Sequence, residues 1–161
     1  MGSLPITAPT DTYIKGNEGY SSKTYLDSLG KRTTGYGFNL EEPMIRRFVH
    51  ADVLAGKRDL TKQEADDIYM NKVMPIVTTD ARNFAGKEVF DALSPARKMV
   101  LLDLSYNLGG PNLGTFKKMQ ASIKKGDYTT AAQELLRSKY AKQVPERALR
   151  NAKILASGFT E

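Results

Sequence analysis

Residues 11–40 read DTYIKGNEGYSSKTYLDSLGKRTTGYGFNL, and a change of texture inside this stretch decides the fold class. Asp11 offers an N-cap for a first short helix running towards Asn17, and Gly16 and Gly19 bracket Glu18 where that helix should give way to a loop. From Lys23 to Asn39 the chain turns to Thr, Tyr and Phe interleaved with Gly, and Ser28-Leu29-Gly30-Lys31 supplies turn chemistry between two strand-like runs. The stretch predicts a small antiparallel hairpin or three-stranded sheet.

Beyond Pro43 the pattern is helical, with Ile45, Phe48, Val49 and Val53 at spacings of three and four. Thr61-Lys62-Gln63-Glu64 is a capping box that predicts a long helix to about Asn83, kinked or broken at Pro75, which lacks an N–H and crowds the preceding turn. Ser94-Pro95 opens a helix whose apolar run, Met99 to Leu108, closes at Gly109 and suits a central buried position. Further helices are expected over Leu113–Lys125, from Asp127 or Tyr128 to Tyr140, and over Pro145–Ser157, about seven in all. The expectation is a predominantly helical α+β fold. A loose leader spans 1–10; a single domain, 11–161, comprises an N-terminal lobe of about 11–60, a connecting helix of about 62–83 and a helical lobe of about 84–161. A cleft between lobes is the expected ligand site.

The 161 residues suffice for one core without crosslinks, and a mean hydropathy of -0.43 is that of an ordinary globular chain. No cysteine is present and His50 is the single histidine, so thiol chemistry and zinc-thiolate sites are excluded and no metal or other cofactor is expected. His50 reads as structural, and Met70, Met74 and Met99 as core filling. A net charge of +6 favours polyanions, but the basic residues fall in scattered pairs such as Arg46-Arg47, Lys117-Lys118 and Lys124-Lys125. No helix-turn-helix, RNP motif or basic-aromatic stripe supports nucleic acid. The leader shows no signal peptide, which predicts synthesis in a bacterial cytoplasm.

Glu18, Asp27 and Thr33 carry the chemistry. Breaking a glycosidic bond takes a carboxylic acid that keeps its proton and a second group that handles water on the opposite sugar face. Glu18 at a helix-to-loop junction, Asp27 on the first strand and Thr33 on the second supply both. Singly, each has a bland reading: a surface carboxylate, a turn residue, a strand residue. Their joint spacing, Glu18-x8-Asp27-x5-Thr33, followed by Thr34-Gly35-Tyr36-Gly37, is what stands out.

In these residues the chain resembles the phage T4-type lysozymes, glycoside hydrolase family 24, whose Glu, Asp and Thr share both spacings. Similar segments are Leu60-Thr61-Lys62-Gln63-Glu64-Ala65, Asp103-Leu104-Ser105-Tyr106-Asn107-Leu108-Gly109, Ser138-Lys139-Tyr140 and Pro145-Glu146-Arg147-Ala148, so the resemblance spans Tyr13 to Phe159. It implies a two-lobe lysozyme-like fold and a muramidase that cuts the β-1,4 bond between N-acetylmuramic acid and N-acetylglucosamine. Glu18 would be the general acid, and Asp27 and Thr33 would position the attacking water. Inversion is then expected, with carboxyls roughly 6.5–9.5 Å apart; about 5 Å would mean a covalent route through Asp27. Asn39, Tyr106, Asn107 and Arg147 would contact substrate, Arg147 lying beside the catalytic glutamate. Phe38 and Lys72 depart from the family, which often has a His and an acidic partner there. The implied partner is bacterial peptidoglycan, met by a monomer that lyses cells without membrane insertion. The alternative is a lysozyme-like protein that grips peptidoglycan but cuts it weakly.

Overall fold

The computed structural model describes residues 8–160, and the fold is α+β: a small antiparallel sheet near the start, then helices. Residues 1–7 of the expected loose leader lie outside the described residues, while Ala8–Thr10 is helical. The described chain divides into two compact units, one of Asp11–Ile76 and one from Val77 onward.

In the first unit, α1 (Ala8–Glu18) begins three residues before the expected N-cap. Asp11 lies inside the first turn, where a negative charge complements the helix dipole, and it pairs with Lys15 at 3.6 Å one turn on. Gly19, at φ 73, ends the helix by donating its N–H to the Lys15 carbonyl. The sheet has the order β1 (Ser21–Leu26), β2 (Arg32–Gly35), β3 (Phe38–Asn39). Tyr25 pairs with Thr33 and Leu26 with Arg32, while Thr33 also faces Asn39 and Thr34 faces Phe38. Two short helices, α2 (Pro43–Arg46) and α3 (Ala51–Leu54), follow, and His50 caps α3 by accepting the Asp52 N–H at Nδ1, a structural task. Ile14, Phe38, Leu40, Leu60, Ala65 and Tyr69 are essentially fully buried. Such burial contributes about 1.5–3 kcal/mol per large side chain.

The capping box forms as expected at the start of α4 (Lys62–Asp67). Pro75 produces no break. Helical residues continue through a π-helical stretch, Ile68–Val73, into α5 (Met74–Ala85). In that stretch the Met74 N–H reaches back five residues to the Tyr69 carbonyl, and the widened turn gives the proline ring the room that a regular turn denies it.

The second unit packs α12 (Pro145–Ser157) against α7 (Pro95–Leu108), α10 (Tyr128–Leu136) and α11 (Lys139–Gln143). The rest of it is α6 (Lys87–Ala92), α8 (Gly110–Leu113) and α9 (Lys117–Lys125). Two expected helices are thus divided. The chain turns at Gly114–Phe116, and Ser138 restarts a helix by accepting the Ala141 N–H. Helix α7 is buried all round from Met99 to Ser105, which includes Asp103 at 0% exposure. Arg147 donates to Asp103 twice (Nε–Oδ2 3.0 Å, Nη2–Oδ1 2.8 Å), and Asn151 Nδ2 donates to Asp103 Oδ2 (2.9 Å) and to the Tyr140 hydroxyl (3.2 Å).

Replacing Asp103 with Ala should strand a buried guanidinium and destabilise the fold by roughly 3–5 kcal/mol in urea unfolding. At the capping box the Glu64 carboxyl is held down to about 2, first by the bidentate Arg58 bond and then by the Thr61 N–H. A depressed folded-state value stabilises above the unfolded one, so the stability gap between parent and Glu64→Gln should be full above pH 4.5 and close as the pH falls towards 2. A gap that stays constant across that range would contradict this.

Candidate active site

Asp27 closes the β1–β2 turn with its own side chain. Oδ1 accepts the N–H groups of Leu29 (2.9 Å) and Lys31 (2.8 Å), while the Asp27 N–H donates to the Lys31 carbonyl (2.9 Å) and Gly30 takes φ 78. Among the described residues Oδ2 accepts no hydrogen bond, so one oxygen is fixed and the other remains available. Thr33 is buried (3%), and its hydroxyl hydrogen goes to the same Lys31, at the carbonyl (2.9 Å), leaving the oxygen lone pairs as acceptors.

The ladder sets which side chains share a face. Directly opposed residues project to the same side, and so do residues two apart on one strand. Tyr25, Thr33 and Asn39 therefore form one row across the three strands, whereas Asp27, expected on the first strand, lies just past its end where the turn begins. Asn39 is half-buried, and its Oδ1 accepts the Glu41 N–H at 2.9 Å. Tyr25 was not singled out from the sequence, although its position two residues before Asp27 on a strand was the available signal. Its phenol is raised above the ordinary tyrosine value by burial first, then by the negative charges of Glu18 and Asp27. The hydroxyl thus lies in the field of both carboxylates, and they oppose its ionisation.

Glu18 is the last residue of α1 and is half-buried. Gly37, at φ 73, lies directly against it, and a Cβ there would overlap the Glu18 carboxyl oxygen. The turn bearing Gly37 rests on aromatic rings: Tyr36 meets Tyr20 (5.1 Å), Tyr69 (5.4 Å) and Phe38 (6.2 Å), with the Lys15 ammonium 4.7 Å from both the Tyr36 and Tyr69 rings. The Tyr36 hydroxyl donates to Asp66, whose carboxyl is lowered mainly by that bond. Phe38 fills its position as a buried ring, and Lys72 is exposed and makes no ion pair among the described residues.

Tyr106, half-buried, and Asn107, exposed, occupy the last turn of α7 in the second unit, where Arg147 is buried against Asp103. Asp103 was quoted from the sequence only as part of a motif. A carboxylate within an apolar helical run was the signal that a buried cation had to answer it. Among the described residues no three His, Cys, Asp or Glu side chains are grouped to hold a metal ion, and no helix is long and apolar enough to cross a membrane.

The family described as phage lysozyme matches residues 15–153. Two Dictyostelium discoideum proteins, named as probable T4-type lysozymes 2 and 1, are each 22% identical over 156 and 160 residues, covering 90% of this chain and 92% of their own lengths. With a family match over nearly the whole length, this chain belongs to the phage lysozyme family.

Proposed function

We propose that this glycoside hydrolase is a muramidase that cleaves peptidoglycan between N-acetylmuramic acid and N-acetylglucosamine, leading to bacterial lysis. Glu18 gives its proton to the glycosidic oxygen as the bond to the anomeric carbon breaks. On the other face of the sugar a water donates one hydrogen to Asp27 Oδ2 and the other to Thr33 Oγ1, which directs its lone pair at the anomeric carbon. As that carbon–oxygen bond forms, Asp27 takes the proton, and the configuration inverts. Asn39, Tyr106, Asn107 and Arg147 are the proposed substrate contacts, and the Tyr25 phenol, kept neutral, is a further donor towards the sugar. The enzyme is proposed to work as a monomer on the wall, without a cofactor.

The observation that carries this reading is the complementary state of the two water-handling groups. Asp27 keeps one oxygen unengaged while two backbone amides anchor the other, and Thr33 spends its hydrogen on Lys31 and keeps its lone pairs.

Glu18→Gln should cut reducing-end release from purified peptidoglycan by about a hundredfold or more, the usual contribution of a general acid. Undiminished release would remove Glu18 from that role, and wall binding without product in the parent would favour the binding-only alternative. Gly37→Ala separates positioning from stability. Gly56 has the same left-handed backbone (φ 75) but open space around it, so Gly56→Ala should lose about 1–2 kcal/mol and keep its specific activity. Gly37→Ala should carry a similar or larger stability cost and in addition lower kcat by about tenfold or more through the displaced Glu18 carboxyl. Equal kcat in the two folded variants would refute the contact's role.

A further inference from the structure

Helix α9 reads KKMQASIKK and divides cleanly. Met119, Ser122 and Ile123 are buried, and Gln120 donates to the Phe84 carbonyl at 2.8 Å. The exposed positions are Lys117, Lys118, Ala121, Lys124 and Lys125. The helix has no acidic residue, and none of the four lysines makes an ion pair among the described residues. Lys117 and Lys124, like Lys118 and Lys125, are two turns apart, about 10.5 Å along the axis, so they form two parallel rows on one face. Lys87 adds a further exposed cation beside Gly86, which lies against the Lys124 side chain. Acids near these lysines in the sequence are Glu88, next to Lys87, and Asp127, two residues after Lys125, and Asp127 is engaged in capping α10 by accepting the Thr130 N–H.

Helix stability accounts for half of this pattern. Lys124 and Lys125 lie in the last turn, where cations offset the helix dipole. Lys117 and Lys118 lie in the first turn, where cations oppose it, and no acid compensates them there. Like charges in adjacent rows also repel one another. Both costs vanish when an anion lies along the face.

We propose that the exposed face of α9 is a docking surface for a polyol-phosphate polymer of the bacterial wall, which holds the enzyme next to its glycan. The choice of polyanion rests on the wall-directed function above; the surface itself does not. A lipid bilayer would require an apolar wedge, and the large apolar side chains of α9 are buried. Single-stranded nucleic acid would require aromatic side chains for base stacking, and the exposed face offers only lysine and alanine. A flexible chain of regularly spaced phosphodiesters requires only rows of positive charge.

The test is titration of the full-length protein with labelled poly(glycerol phosphate) at physiological ionic strength. The variant K117Q/K118Q/K124Q/K125Q should bind about tenfold or more weakly, with a flatter dependence on salt. The matching Lys→Arg variant, and a control with Lys57, Lys72, Lys142 and Lys153 changed to Gln, should stay within about twofold of the parent. Cleavage of a soluble, polymer-free glycan should be equal in parent and α9 variant. Glu18→Gln should bind the polymer undiminished, so a failure of the catalytic reading and a failure of the docking surface give different results. Equal losses in the control, unchanged binding in the α9 variant, or a parent that prefers single-stranded DNA or phosphatidylglycerol vesicles to the polymer would each overturn the proposal.

Discussion

The pairing of Tyr25 with Thr33 across β1 and β2 is the constraint on which the candidate site depends. Side chains alternate along a strand, so a slip of one residue would turn Thr33 away from the face that bears Tyr25. The register is held by a side chain as well as by the backbone ladder. Asp27 Oδ1 accepts two backbone N–H groups within the turn, and Lys31 supplies one of them while receiving the Thr33 hydroxyl at its carbonyl. The oxygen that closes the hairpin and the oxygen proposed to meet water are therefore two atoms of one carboxylate. Geometry and chemistry cannot drift apart at such a position.

A different kind of constraint organises the helical unit. Removing a carboxylate from water costs several kcal/mol unless charge and hydrogen bonds replace the lost hydration, and Asp103 is completely buried. Arg147 supplies the charge through a two-point contact, and Asn151, one turn further along α12, supplies a third donor. Tyr140 joins the network from α11. Apolar packing among α7, α11 and α12 would tolerate some sliding, whereas directional bonds to one carboxylate do not. This is a specifying interaction, and the arginine it orients is the one that the family resemblance singles out.

Around Glu18 the organising element is aromatic. Tyr20, Tyr36, Tyr69 and Phe38 pack edge-on or tilted, with lysine ammonium groups over their faces, and together they support the turn that brings Gly37 against the carboxyl. Tyr69 belongs to the π-helical stretch that precedes Pro75. The wider helical turn and the aromatic cluster thus share a residue, and the irregularity that accommodates a proline also shapes the packing below the site.

Local chemistry made much of this protein legible in its sequence. The capping box at Thr61, the Ser94-Pro95 start, the turn at Ser28–Lys31 and the switch from strand to helical texture each depend on neighbours within a few residues, so pattern alone determined them. Glu18, Asp27 and Thr33 emerged through their spacing, which locates residues along the chain but says nothing about which oxygen is engaged. That Asp27 has one anchored and one available oxygen, that Tyr25 joins the same row, that Gly37 makes room for Glu18 and that Asp103 answers Arg147 were decided by tertiary structure alone. So was the fate of Pro75, where a kink or a break was expected and helical residues continue past it after a wider turn. The division follows from range: propensities and caps act within a turn or a hairpin, whereas burial, facing side chains and the sharing of one carboxylate arise only when distant segments meet.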